Sequence, residues 1–104
     1  MVTVKVATEF SRYPAGRTEQ DGPFSGEAFR TRFLEPNLKR NEEVVVDLDG
    51  TRGYGSSFLE EAFGGLVRAG FNVDSLRRLL KLVGTRPSVK SEIEDYIARA
   101  ANGT

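Results

Sequence analysis

The hydrophobic pattern changes along the first half of the chain from alternating to continuous. Val2, Val4 and Val6 alternate with polar neighbours, which predicts a strand over residues 2–7 with one buried face. Residues 43–49 contain three consecutive valines followed by a leucine, and a continuous apolar run is typical of a central strand covered on both faces. The pattern therefore predicts at least two strands of one sheet.

The first predicted helix covers residues 26–35. Ser25 precedes it as a suitable N-cap, and Phe29 and Phe33 lie one turn apart on its narrow apolar side. We expect Pro36 to end the helix, because proline cannot donate the backbone hydrogen bond of a helix interior.

The second predicted helix has the strongest pattern. Its apolar residues form two adjacent rows at i, i+4 spacing: Phe58, Ala62 and Leu66, and Leu59, Phe63 and Val67. Ser57 and Glu60 fit a capping box, in which each side chain accepts a hydrogen bond from the other residue's amide. Gly70 is the expected end of the helix.

The remaining elements are shorter or less distinct. A strand around residues 17–19 could pair back on the first strand. Residues 74–78 are predicted as a helical turn that leads into a strand at 79–84. A last helix begins near Pro87, which suits a first turn, and residues 102–104 are expected to fray.

Strands that alternate with helices predict an α/β fold. We expect a mixed, partly parallel sheet of about four strands, flanked by about three helices. A length of 104 residues fits a single domain over residues 1–104.

Composition narrows the classes of function. The chain has 15 basic and 15 acidic residues, so we expect neither nucleic acid nor an anionic membrane as a partner. It has no histidine and no cysteine, which removes the usual zinc ligands, thiol nucleophiles and histidine-based triads. We therefore expect no metal, no cofactor and no enzymatic activity. No apolar stretch has the length of a signal peptide or a membrane span, so we expect a cytoplasmic protein.

A polar cluster is predicted between the first strand and the first helix, and it consists of Arg17, Asp21, Ser25, Glu27 and Arg30. In one interpretation these residues line a pocket for a small anion or nucleotide, with the two arginines clamping a phosphate. In the other, they are salt bridges and caps that fix an irregular loop.

Two further features have a functional and a structural interpretation. Gly64 and Gly65 lie in the middle of the second helix, where each glycine costs about 1 kcal/mol. Either a partner approaches the exposed face there, or the helix packs tightly inside the domain. Asp47 and Asp49 end a strand and could bind Mg²⁺, but the chain is short for a phosphoryl-transfer enzyme and we attribute this pattern to chance.

Residues 44–67, with an apolar strand, a glycine-rich turn and Ser-Ser-Phe in order, resemble a bacterial family of STAS-like domains of unknown function. The resemblance extends over nearly the whole chain through several short motifs: Gly16-Arg17, Asp21-Gly22-Pro23, Ser25-Gly26-Glu27, Phe29-Arg30 and Asp95-Tyr96-Ile97. It implies a STAS-like fold of one domain.

The chain is more distantly similar to the anti-sigma-factor antagonists. In those proteins a kinase with a histidine-kinase-type ATP-binding fold phosphorylates a serine at a helix N-terminus. The motif falls on residues 55–58, where Gly55 and Phe58 replace its acidic residue and its glycine. The resemblance implies that Ser57 is the phosphoacceptor, or Ser56 if the alignment shifts by one residue.

These features lead to three hypotheses of different classes. The first is a protein-interaction domain in bacterial regulation, docked by an ATP-binding kinase-like protein and switched by serine phosphorylation. Its candidate surface consists of Ser56, Ser57, Glu60, Glu61 and Gly64. The second is a small-ligand sensor or accessory enzyme subunit that uses the polar cluster. The third is a subunit that only completes a larger assembly.

Overall fold

The computed structural model describes residues 1–103. It contains a three-stranded parallel sheet. Its strands are β1 (Val2–Lys5), β2 (Val44–Asp47) and β3 (Leu80–Val83). They lie in the order β1-β2-β3, with Val4 opposite Val46 and Val46 opposite Leu82. The α/β prediction is confirmed, but the sheet has three strands and is entirely parallel, where four strands and a mixed sheet were predicted.

Only one face of the sheet is covered. Val4, Val44 and Val46 point into the core and are almost fully buried. Because side chains alternate between the two faces, the other face carries Val45 and Asp47 of β2, which are half-buried, and on the outer strands the exposed residues Thr3, Lys5, Lys81 and Val83. The central position of β2 is confirmed, whereas the prediction that both of its faces are covered is wrong.

The fold has four helices, of which the first three form the crossovers that parallel strands require and the fourth follows the last strand. They are α1 (26–39), α2 (56–68), α3 (Val73–Leu79) and α4 (Pro87–Ala101). The predicted helical turn, strand and last helix of the C-terminal third are confirmed. The prediction that α2 ends at Gly70 is also confirmed, and the φ of 107° at Gly70 is one that favours glycine. Within residues 1–103 no helix is long and apolar enough to cross a membrane.

Helix α1 continues past Pro36 to Lys39, so the prediction that this proline ends the helix is wrong. Residues Arg30–Leu34 form a π-helical turn, in which the Glu35 N–H donates to the carbonyl of Arg30, five residues back. This wide turn changes the hydrogen-bond pattern immediately before the proline, so the missing N–H of Pro36 costs less than in a regular helix.

The predicted strand at 17–19 is also absent. Glu19–Asp21 instead form a 3₁₀ turn, closed by a capping box between Thr18 and Asp21. Strand β1 leads directly into a π-helical turn over Val6–Phe10. Of the tail predicted to fray, Asn102 and Gly103 form an exposed turn, and Thr104 lies outside the described residues.

An aromatic cluster joins the end of the N-terminal π-helical turn to α1 and α2. The Phe10 ring contacts those of Phe24, Phe29, Phe33 and Phe58, with centroid separations of 5.7, 5.2, 5.7 and 6.0 Å. Since aromatic pairs at such distances add to simple burial, this cluster fixes the end of that turn against α1 and α2.

Candidate functional site

The connecting loop (residues 11–25) lies against the N-terminus of α2. The Gly26 N–H donates to the Gly16 carbonyl (2.9 Å), and the Gly55 N–H donates to the Pro14 carbonyl (3.4 Å). Pro14 is fully buried. The backbone of the loop is thereby tied to the first residues of both α1 and α2.

A shallow, open pocket of about 510 Å³ lies between the loop and α2. It is lined by residues from both segments: Gly16, Arg17, Asp21, Gly55, Ser56 and Ser57. Two groups of residues that the sequence suggested separately are therefore neighbours. Arg17 and Asp21 of the polar cluster face the same pocket as the serine pair.

Both serines are exposed, and neither caps the helix. Ser56 and Ser57 are the first two residues of α2, and the N-cap residue is Gly55, which has no side chain to accept a hydrogen bond. The predicted capping box between Ser57 and Glu60 is wrong, because the helix begins earlier than that motif requires. The Glu60 carboxylate is bound by arginines instead.

An arginine–glutamate network covers the first turns of α2. The Glu60 carboxylate accepts hydrogen bonds from Arg17 and from Arg68, the latter at 2.7 and 3.0 Å. The Glu61 carboxylate accepts one from Arg30. The hydrogen bonds from Arg68, followed by those from Arg17, lower the pKa of Glu60 despite its partial burial. The network therefore favours the ionised form of Glu60 beside the serine pair.

Arg30 and Arg17 differ in their access to the pocket. The Arg30 side chain is 13% exposed and also donates to the Glu61 carbonyl (2.8 Å) and the Glu35 carboxylate (2.9 Å). The Arg17 side chain is 44% exposed and lines the pocket. Of the two arginines considered for a phosphate clamp, only Arg17 is placed to reach a ligand there.

Asp21 holds the loop in shape. Its carboxylate accepts hydrogen bonds from the amides of Thr18 (3.1 Å) and Arg17 (3.0 Å). Both bonds lower the pKa of Asp21, and the bond from Thr18 has the larger effect. Gly16 has a φ of 91°, and a Cβ atom there would lie 2.7 Å from that of Asp21. The turn therefore requires a glycine at this position.

Ser25 and Glu27 stabilise the same region from outside the pocket. The buried Ser25 hydroxyl accepts a hydrogen bond from the Ala28 amide (3.2 Å), which confirms it as the N-cap of α1. The Glu27 carboxylate accepts one from the Glu19 amide (3.3 Å). In the structure, both side chains serve to fix the loop.

Gly64 and Gly65 are buried inside the molecule. A Cβ atom on Gly64 would lie 2.5 Å from the Glu60 carboxylate and 3.4 Å from the Tyr96 carbonyl of α4. One on Gly65 would overlap the Arg30 guanidinium. Internal packing thus accounts for both glycines, which corrects the expectation that Gly64 belongs to an exposed docking face.

The aspartates after β2 have structural partners. Asp47 accepts a hydrogen bond from the Asp49 amide (3.0 Å). Asp49 accepts two from the amide and hydroxyl of Thr85, each at 2.9 Å. In the part of the chain that the structure describes, no three acidic, histidine or cysteine side chains could together hold a metal ion.

Arg68 and Glu35 belong to the network, although the sequence did not single them out. Arg68 follows Glu60 by eight residues, two turns further along the same helix. Glu35 follows Arg30 by five, a spacing that suits a π-helical turn better than a regular one. The sequence indicated these two ion pairs only through the opposite charges of the residues and their spacing along each helix.

Comparison with family models matches residues 25–90, more than half of the chain, to a family described as a STAS-like domain of unknown function. Searches of curated proteins and of solved structures gave no match. The matched residues include α1, the whole sheet apart from β1, and the serine pair at the start of α2. The chain therefore belongs to the family of STAS-like domains of unknown function.

Proposed function

We propose that this protein is a non-catalytic regulatory domain that docks a histidine-kinase-type ATP-binding protein through the loop–α2 surface, and that serine phosphorylation switches this complex. The loop–α2 surface consists of the connecting loop and the first turns of α2, with the serine pair at its centre. At a coarse level, membership of a STAS-like family fits a regulatory domain without catalysis. The partner and the switch rest on the arguments that follow, and a partner of this kind is consistent with a cytoplasmic protein.

The observation that carries the proposal is that the serine pair is exposed at a helix N-terminus and takes no part in capping it. The N-cap residue, Gly55, makes no side-chain bond to the helix, and the first bond into α2 runs from the Leu59 amide to the Gly55 carbonyl (3.1 Å). The hydroxyls of Ser56 and Ser57 are thus free to react or to contact a partner.

A phosphate on Ser57 would meet a favourable local field. The amides at a helix N-terminus and the helix dipole stabilise an anion. Arg17 lines the same pocket and is now bound to Glu60. Because a phosphate carries close to two negative charges, it would compete with Glu60 for Arg17 and change the charge pattern of the loop–α2 surface.

The transfer itself uses groups of the partner. The γ-phosphoryl group of bound ATP passes to the serine Oγ, the bond from phosphorus to the ADP oxygen breaks, and a base of the partner takes the hydroxyl proton. The products are phosphoserine and ADP. We assign Ser57 as the acceptor, and Ser56 is the neighbouring alternative.

Calorimetry with the ATP-binding protein encoded nearest to this chain tests the proposal. We expect the Ser56→Asp/Ser57→Asp variant to bind at least about tenfold more weakly than wild type, because two added negative charges change the charge pattern of the surface that the partner contacts. The Ser56→Ala/Ser57→Ala variant should retain wild-type affinity. Ser88→Asp is the matched control, since Ser88 is an exposed serine at the second residue of α4.

Equal affinity of both double variants, or no binding by the wild-type chain, would refute the proposed docking and switch. Weakening by Ser88→Asp to the same degree would show that added charge acts without regard to position. Circular dichroism of each variant separates these results from loss of the fold.

A second candidate function, a small-ligand sensor or accessory enzyme subunit, uses the same pocket. Its volume falls within the range of small-molecule sites, and Arg17 and Asp21 line it. The pocket is shallow, and Arg30 is held by glutamates away from it. Nucleotide retained by the purified chain, and lost in Arg17→Ala, would favour this function.

A further inference from the structure

The outer edge of β3 is free to pair with another strand. Val83 accepts a hydrogen bond at its carbonyl from the chain just after β2 (2.9 Å), so its backbone faces β2. Since backbone groups alternate between the two edges of a strand, Leu80 and Leu82 face outward. The Leu80 N–H is bound by α3. The Leu80 carbonyl and the N–H and carbonyl of Leu82 lie at the free edge, where an added strand could bind them.

A groove of about 520 Å³ with apolar and charged lining lies along this edge, between α3 and α4. Its apolar lining comes from all three elements: Val73, Leu76, Leu80, Leu82, Val83 and Ile97. The groove therefore combines a strand edge with hydrophobic walls. That combination is the one used when a peptide adds a strand to an existing sheet.

The charged residues around the groove are mostly basic. Arg77, Lys81 and Lys90 line it with one acid, Glu94. For none of these three cations does the described structure contain a hydrogen bond or ion pair. By contrast, Arg17, Arg30 and other arginines near α2 are bound by glutamates. The groove therefore carries an excess of positive charge, three cations against one acid, in a chain that is electrically balanced as a whole, and this excess favours an acidic occupant.

We propose that this groove, the β3 groove, binds an extended segment of a partner protein that alternates apolar with acidic residues. The segment pairs with Leu82 through the backbone and places apolar side chains in the groove. Its acidic side chains lie near Lys81 and Lys90. The β3 groove shares no residue with the pocket of the loop–α2 surface, so the proposal is independent of the serine switch.

Electrostatics argue against a second copy of this chain as the occupant. Pairing two copies edge to edge by a twofold axis brings the same surface of each together. The Arg77, Lys81 and Lys90 side chains of the two copies would then be close to one another. Like charges in such an arrangement are unfavourable, whereas an acidic segment would neutralise them.

The test uses a short peptide that alternates valine with glutamate, and a control peptide with lysine in place of glutamate. By two-dimensional NMR of the full chain, we expect the glutamate peptide to shift the signals of β3 and to slow hydrogen exchange of the Leu82 amide. The exposed Lys81→Glu/Lys90→Glu variant should bind it roughly tenfold more weakly. Arg78→Glu, on an exposed residue of α3 that does not line the groove, should bind it within about twofold of wild type.

Three outcomes would overturn the proposal. They are no response of β3 to the glutamate peptide at millimolar concentration, equal binding of the lysine peptide, and protection of Leu82 that rises with protein concentration in the absence of peptide. The last result would identify a second copy as the occupant. None of them bears on the serine switch, which is tested with a different partner and different variants.

Discussion

At the scale of single residues, Glu60 connects the loop to α2. It accepts hydrogen bonds from Arg17 of the connecting loop and from Arg68 near the end of the helix. Its side chain is only 23% exposed, so its bonds are less screened than those of a fully solvated pair. The position of the Arg17 guanidinium in the pocket thus depends chiefly on the charge of the Glu60 carboxylate, with the Glu61 carboxylate 3.6 Å away as a second, longer ion pair.

The charge of Glu60 gives a pH dependence with a definite sign. Its pKa in the folded protein is lowered, chiefly by Arg68, from an ordinary value of 4.5. The stabilisation is therefore complete above pH 4.5 and is lost as the pH falls through the lower, folded value. We expect Glu60→Gln to reduce the free energy of unfolding at pH 6, with the difference from wild type shrinking toward pH 3.

Urea unfolding at several pH values between 6 and 3 measures this difference. Glu94→Gln, which replaces an exposed glutamate with no ion pair in the described structure, is the control and should not alter the pH profile. A constant difference between Glu60→Gln and wild type across this range would contradict the role assigned to the carboxylate.

At the scale of elements, the aromatic cluster determines how the connecting loop meets α1 and α2. Phe29 is fully buried and contacts Phe10 of the N-terminal turn and Phe58 of α2. Phe24 contacts Phe10 as well but is 44% exposed. Phe29 contacts four other rings, those of Phe10, Phe33, Phe58 and Phe63, whereas Phe24 contacts one and is much less buried.

Phe29→Ala should lower the free energy of unfolding by about 3–5 kcal/mol, because it leaves a cavity where α1, α2 and the loop meet. Phe24→Ala should cost less than about half as much, since its ring already contacts water. Chemical denaturation of both variants tests this. Similar losses in the two would show that the loop contributes as much to stability as the buried core does.

The hydrophobic pattern predicted the elements in which buried residues recur at the regular spacing of a strand or a helix. The first strand, the apolar stripe of α2 and the C-terminal helix match alternation or helical spacing, whereas β2 was predicted from a continuous apolar run. The pattern could not predict the π-helical turn before Pro36 or the 3₁₀ turn in place of the strand at 17–19. Both depend on local hydrogen bonds, to Arg30 and Asp21, that have no hydrophobic period.

The sequence predicted several residues of the candidate site but not how they are arranged in space. The sequence singled out Arg17, Asp21 and the serine pair but could not show that they share one pocket, because this contact depends on the path of the connecting loop. It also assigned Ser57 to a capping box, since a serine three residues before a glutamate fits that motif. Arg17 and Arg68 compete successfully for Glu60 and leave the serine free.

At the scale of the whole molecule, the fold offers two separate surfaces. The loop–α2 surface combines the connecting loop, which precedes β2 in the chain, with the start of α2, which follows it, and it carries the serine pair beside acids that are neutralised by arginines. The β3 groove lies at the free edge of the sheet and carries unpaired cations. A domain with two such surfaces could bind a kinase-like protein and a second, acidic segment at the same time.

Hydrogen exchange measured by mass spectrometry on the complex with the ATP-binding partner tests the central claim most directly. Docking at the loop–α2 surface predicts slower exchange in residues 12–23 and 56–61, and unchanged exchange in residues 73–83. Protection confined to residues 73–83 and α4, with none around the serine pair, would contradict the claim and place that partner on the β3 groove instead.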